Sequence, residues 1–214
     1  MTPPLLAKRP VRDNSYPMCS RFENRASPED LRRRFGLREF PQFPPAAELR
    51  PTDAALVIAA ARTPRVLRWG LPAPWDGKPL INARAETLAE KATFRPLLES
   101  RCLVPATAYF EWRKADGAKL KNRIAPADPA AVPFAFAGLM DGEHFTLVTC
   151  APAPSVAHVH TRMPVILAAG AEDAWIDPGT PFAQAGAALV PYGEGPLAAV
   201  EDLPPPPRQG SLFG

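Results

Sequence analysis

Proline divides this chain into short pieces. It holds 29 of the 214 positions, and the prolines fall largely between apolar runs and at the two ends, where they punctuate a compact mixed structure rather than build a low-complexity array. "ALVIAA" (55–60) and "RVLRWGL" (65–71) read as two strands joined by a short Arg-Thr-Pro turn. "RCLVPATAYFEWRK", "PFAFAGLM", "FTLVTC" and "RMPVIL" are further β-rich runs separated by turn residues. The strongest helix signal is "SPEDLRRRFG", with Ser27 as N-cap, Pro28 at the first helical position, Asp30 at the capping-box position and Gly36 as the stop. "RAETLAEKATFRPLLES" predicts helical segments interrupted near Pro96. Strands do not alternate regularly with helices of about ten to fifteen residues, which argues against a doubly wound parallel sheet. The expected class is α+β, mainly β, with a bent or barrel-like mixed sheet and a few short helices.

Hydrophobic residues make up 46% of the chain, enough for one sizeable core at this length. The expected organisation is a folded domain over 18–202, preceded by a loose leader (1–17) and followed by the proline-rich tail "LPPPPRQGSLFG" (203–214). A net charge of +3 permits a polyanionic partner without requiring one. No apolar run approaches the ~20 residues of a membrane helix, and "MTPPLLAKRPVRDNSYP" lacks the apolar core of a secretory signal. A cytoplasmic protein with no membrane partner is expected. Cys19, Cys102 and Cys150 are odd in number and show no CxxC spacing, which argues against a disulfide framework and a structural zinc site. At least one is a free thiol.

Four constellations carry potential chemistry, each weak alone. In "YFEWRK" an extended strand places Tyr109, Glu111 and Arg113 on one face and Phe110 and Trp112 on the other. A carboxylate among aromatics can be pushed into the range of a proton shuttle, although pairing of Glu111 with an arginine at a strand end is the commoner reading. "AHVHTRMP" sets His158 and His160 two apart beside Arg162, but no Cys or acidic partner lies at ligand spacing and the one other histidine is His144, so no metal is expected. Such a histidine more often satisfies a backbone carbonyl than acts as acid, base or anion partner. In "LINARAET", Asn82, Arg84 and Glu86 either cap the following segment or hold an anion near its start. "RTPRVLRWGLPAPW" interleaves Arg62, Arg65 and Arg68 with Trp69 and Trp75, which suits a single-strand groove in which charges follow phosphates and rings stack on bases. Ordinary strand amphipathicity explains it almost as well.

In order, "MCSRF" (18–22), "RPTD" (50–53), "RWGLPAPW" (68–75), "NARAET" (82–87), "RCLVPATAYFEW" (101–112) and "VHTRMPVIL" (159–167) resemble the SOS response-associated peptidase family, the abasic-site processing proteins of bacteria and eukaryotes. The resemblance runs from Met18 to about Trp175. It implies that removal of the preceding residues exposes Cys19 as a 1,2-aminothiol, which condenses with the aldehyde of an abasic site and closes to a thiazolidine. A terminal amine with pKa ~7.8 is roughly 20% neutral at pH 7.2, against under ~0.1% for a lysine, so it is the better free nucleophile. By resemblance Asn82 orients the terminus, Glu111 moves protons and His160 assists at the sugar and its leaving phosphate. Arg21, Arg84 and Trp69, joined by Arg68, Trp75 and Arg162, hold the flanking strand. The implied partner is single-stranded DNA containing abasic sites. No cofactor is implied, the peptidase activity is self-removal of the residues before Cys19, β-elimination is a possible side reaction, and a monomer is expected.

Four positions depart from the family pattern: Ser20 and Ala108 stand for glycines, Glu48 for an asparagine and Thr161 for an aspartate. They point to a divergent subfamily or to weakened DNA binding. With residues 1–17 attached, Cys19 carries an amide and cannot form the ring. Either translation starts at Met18, the preferred reading, or the protein cuts its own Met18–Cys19 bond. Two other classes stay open at this point: a Cys19–His160–Glu111 thiol peptidase acting on other proteins, and a non-covalent single-strand binding module.

Overall fold

The computed structural model describes residues 19–73, 75, 77–115 and 117–203; the leader (1–17), Met18 and the tail from Pro204 lie outside the described residues. The described strands run β1 (Phe22–Asn24), β2 (Ala46–Leu49), β3 (Ala54–Ala59), β4 (Thr63–Trp69), β5 (Asn82–Arg84) and β6 (Arg101–Ala106). They continue as β7 (Ala108–Ala115), β8 (Ala118–Pro126), β9 (Phe134–Asp141), β10 (His144–Cys150), β11 (Met163–Pro164) and β12 (Leu197–Glu201). Three short helices join them: α1 (Pro28–Phe35), α2 (Glu172–Ile176) and α3 (Phe182–Ala185). The architecture is α+β and mainly β.

Five strands close into a mixed barrel. β10 runs parallel to β4, and antiparallel pairs β4–β3, β3–β6, β6–β9 and β9–β10 complete the ring. Beyond β4, β10 gains β5 as a parallel neighbour, with Leu147 opposite Asn82. A second, antiparallel sheet has the order β12-β8-β7-β1-β2. Thr107 alone separates β6 of the barrel from β7 of the second sheet, so the chain passes from one layer to the other within one residue there.

The three-residue strand β1 is pinned at this junction. Phe22 inserts edge-on between Trp69 and Phe136, with ring centroids 5.0 and 5.9 Å away, and Tyr109 meets Phe136 at 6.1 Å. Each of these rings is buried, and each contributes roughly 1.5–3 kcal/mol of apolar burial. The next residue, Glu23, is a buried carboxylate. It accepts hydrogen bonds from the Thr107 hydroxyl (2.9 Å) and from the guanidiniums of Arg123 on β8 and Arg25.

Local signals hold where the chemistry is local. The α1 cap forms as predicted: the Ser27 hydroxyl accepts the Asp30 N–H, and Gly36 ends the helix at φ 61°, a left-handed conformation that favours glycine. The turn between β3 and β4 is instead a 3-10 turn over Ala60–Arg62, and Thr63 and Pro64 already belong to β4. The helical segments expected after Arg84 are only single 3-10 turns, Ala85–Thr87 and Arg95–Leu97. Pro96 supplies no N–H to extend the second of them. "RMPVIL" forms a strand over Met163–Pro164 alone.

Burial opposes the charge on Glu23, but Arg123, Thr107 and Arg25 outweigh it and hold the carboxyl below its ordinary value. A lowered folded pKa means that the contribution is present above the unfolded pKa of ~4.3 and is lost as pH falls through the folded value. Glu23→Ala is expected to lower stability in urea at pH 7 by about 2 kcal/mol, discounted because the Arg123 side chain is 41% exposed. Arg25→Ala, whose side chain is 63% exposed, should change it by less than about 0.5 kcal/mol.

Candidate active site

Cys19 stands three residues before Phe22 and takes its position from β1. The strand pairs with β7 through Phe22 opposite Tyr109, and the Phe110 N–H donates to the Arg21 carbonyl at 3.0 Å. This register sets the start of the segment beside Glu111. The Cys19 backbone N–H donates to Glu111 Oε1 at 2.7 Å, and Asn82, the first residue of β5, donates its Nδ2 to the Cys19 carbonyl at 3.3 Å. Two side chains from two sheets thus hold the two ends of one residue. Cys19 has φ 34°, a left-handed backbone that costs a non-glycine residue on the order of 1–2 kcal/mol.

Glu111 is 3% exposed, and burial pushes its carboxyl up to about 8, against hydrogen bonds from Cys19 and the Trp112 backbone. Near neutral pH it is predominantly protonated and within reach of releasing its proton. His160 Nδ1 lies 3.9 Å from Glu111 Oε1 and 3.2 Å from both the backbone N–H and the carbonyl oxygen of Arg162, so it accepts from the one or donates to the other according to its tautomer. Burial lowers the His160 pKa, so the two face each other as neutral groups rather than as an ion pair. The Cys19 thiol is wholly buried and is pushed well up, by burial first and by Glu111 second, with its sulfur 4.0 Å from the Arg21 carbonyl. It is a thiol, not a thiolate.

Beside these groups opens a cleft of about 560 Å³. Ser20, Arg21, Glu111 and Trp112 form one side, Lys114 and Lys119 of the β7–β8 hairpin the next, and the loop 157–161, with His158 and His160, the other. Lys114 and Lys119 sit directly opposite each other in the hairpin register. Among the described residues no three of His, Cys, Asp and Glu are placed to hold a metal ion.

Cys19, Asn82, Glu111 and His160, expected from four separate stretches, come together here, and Arg21 borders them. Trp69 is a correction: it is fully buried, donates its ring N–H to the Ile81 carbonyl at 2.9 Å and stacks on Phe145 in the core. It presents no face to a base. Arg68 is exposed and bonds the Thr52 carbonyl, and Trp75 is 62% exposed, but neither lines the cleft. Arg84 is exposed on β5. Arg162 grips both oxygens of Glu86 at 2.7 and 2.8 Å and the Thr149 carbonyl at 2.7 Å, so it ties the histidine loop to β10.

Sequence reasoning missed the cleft-facing Trp112, Lys114 and Lys119; Trp112 and Lys114 share one set of alternate positions on β7, and the cleft reaches them as well as Glu111 of the other set. The like-charged pair across a tight turn was the available signal. Ser20 keeps an ordinary backbone, and the positive φ falls on Cys19 itself. Cys102 and Cys150 are buried thiols raised to about 12 and about 11, as packing residues are.

Residues 18–201 match the family described as SOS response associated peptidase (SRAP), and the chain belongs to that family. It is 36% identical to "Abasic site processing protein YoaM" of Bacillus subtilis, with 75% of this chain and 80% of that one covered. It is 34% identical to "Abasic site processing protein YedK" of Escherichia coli over 50% and 52% of the two chains. A crystal structure of a Bordetella bronchiseptica protein superposes with a TM-score of 0.74 at 26% identity, covering 87% of this chain and all of that one. Among the described residues no helix is long and apolar enough to cross a membrane.

The raised carboxyl of Glu111 makes a signed prediction. A carboxyl that ionises at higher pH when folded costs stability progressively as pH rises from about 4.3 towards 8. Glu111→Gln should therefore match the wild type in thermal melts near pH 4 and exceed it by about 2–4 kcal/mol above pH 8.

Proposed function

We propose that the protein captures abasic sites in single-stranded DNA through a thiazolidine formed by Cys19 once the residues before it have been removed. The observation that carries this reading is the 2.7 Å hydrogen bond from the Cys19 nitrogen to Glu111. It directs the acid–base group of the site to the nitrogen rather than to the sulfur.

The steps follow from the chemistry. The neutral terminal amine adds to the aldehyde carbon of the opened sugar, and water leaves to give an imine. The protonated Glu111 supplies the proton for that loss and can recover one from the amine. The Cys19 thiol then adds to the imine carbon and its proton passes to the nitrogen, closing a five-membered ring with the net loss of one water. Asn82 fixes the carbonyl side of Cys19 and so holds the residue beside Glu111. Opening the ring returns the imine, from which β-elimination of the phosphate is the side reaction, and His160 is the acid–base group available there. Removal of the residue before Cys19 also abolishes the peptide to which its left-handed φ belongs and releases that strain. The flanking strand would lie along Arg21, Lys114 and Lys119, whose positive charges suit its phosphates, with Trp112 as a stacking surface.

A thiol peptidase acting on other proteins needs an activated thiolate beside a basic histidine. Here the thiol pKa is raised and His160 turns Nδ1 to Arg162, which favours amine chemistry.

Protein beginning at Cys19, mixed with single-stranded DNA carrying one abasic site, should give a crosslink stable on a denaturing gel. Cys19→Ala should abolish it. The rate should be bell-shaped in pH, because the amine must be neutral while Glu111, raised by burial, is still protonated. Glu111→Gln should slow the reaction by roughly 10²-fold and remove the alkaline limb. Salt-reversible binding without a crosslink would leave a non-covalent binding module.

A further inference from the structure

Glu48 holds three cations at the mouth of the cleft. It lies on β2, which pairs with β1 through Leu49 opposite Phe22. Its Oε1 is 3.2 Å from Arg21 Nε and 3.0 Å from Arg50 Nε, and its Oε2 is 2.6 Å from Lys121 Nζ. Lys121 is further fixed by Asp202 at 2.8 Å and sits 4.1 Å above the Phe110 ring. Arg21 spends a second donor on the Ser20 carbonyl at 2.6 Å. The cluster brings together Arg21, Arg50 and Lys121 against Glu48 and Asp202, leaving one net positive charge where three cations converge. Burial opposes the charge on Glu48, but Lys121 and Arg50 outweigh it and keep the carboxylate ionised across the neutral range.

Arg21 is the member of this cluster that lines the cleft. A phosphate entering there competes with Glu48 for the Arg21 guanidinium and meets the Glu48 charge behind it. The carboxylate thus organises the cations and attenuates them together. We propose that Glu48 is a specificity-determining residue: it withholds Arg21 from the phosphates of intact strands, so that retention depends on the covalent step at Cys19. The inference rests on the abasic-site reading above and adds the way in which undamaged DNA is released. A protein that samples long stretches of intact single strand needs weak phosphate contacts, because each phosphate held there is a competitor for the lesion.

The test uses protein beginning at Cys19 and a fluorescein-labelled intact oligothymidine, with binding followed by anisotropy over a series of salt concentrations. Glu48→Gln should bind the intact strand roughly three- to tenfold tighter at low salt, with log K against log salt steeper by about 0.7, one phosphate contact on a single strand. Adding Arg21→Gln to Glu48→Gln should abolish the gain, and Glu29→Gln, which removes the same charge from the exposed first turn of α1, should not reproduce it. Unchanged or weaker binding by Glu48→Gln at wild-type melting temperature overturns the proposal, as does an equal gain from Glu29→Gln. A wild type that forms no Cys19-dependent crosslink overturns the functional reading itself, and is recognised before any variant is compared.

Discussion

The backbone nitrogen of Cys19 is held at 2.7 Å by a carboxyl group that burial raises to about 8, and the rest of the architecture serves that contact. A carboxyl at the surface would ionise near pH 4 and take no part in proton transfer at neutral pH. Glu111 is displaced because it lies on β7, against the barrel, with little water to stabilise its charge. The same dry setting raises the Cys19 thiol. Sulfur is thus kept as a thiol, and the raised carboxyl faces the Cys19 nitrogen.

Holding that nitrogen is a structural difficulty, because the first residues of a domain fray unless they are tied down. A strand of three residues offers few ladder hydrogen bonds. The anchorage comes instead from side chains on opposite faces: Phe22 enters the aromatic core on one side, and Glu23 is clamped by Thr107 and Arg123 on the other. Thr107 is also the one-residue connection between β6 of the barrel and β7 of the second sheet. The position of Cys19 is therefore coupled to the junction of the two layers, and Asn82 and the loop carrying His160 approach it from strands that share β10.

The sequence was most legible where structure is decided within a few residues. The cap, first-turn proline and terminal glycine of α1 are local hydrogen-bond chemistry and could be read directly. Closure of the barrel by the parallel pairing of β10 with β4 depends on contacts far apart in the chain and left no local mark. Trp69 shows how a composition argument fails: arginine and tryptophan interleaved in "RVLRW" suggested one mixed surface, but alternation on a barrel strand sends Arg68 outward and Leu67 and Trp69 inward. The four site residues were weak signals individually and became a set through family resemblance. Their geometry waits on the pairing of β1 with β7, and the place of the cleft-facing lysines on the pairing of β7 with β8.

The most direct test of amine chemistry at Cys19 is the intact mass of the adduct between protein beginning at Cys19 and an abasic oligonucleotide, measured with and without borohydride. The account predicts the sum of the two masses less one water, unchanged by borohydride, because a closed thiazolidine has no imine to reduce. It also predicts no adduct from protein that keeps residues before Cys19 and has not been cut there. An adduct that gains two hydrogens in borohydride, or one that forms as fast with the preceding residues still attached, would contradict it.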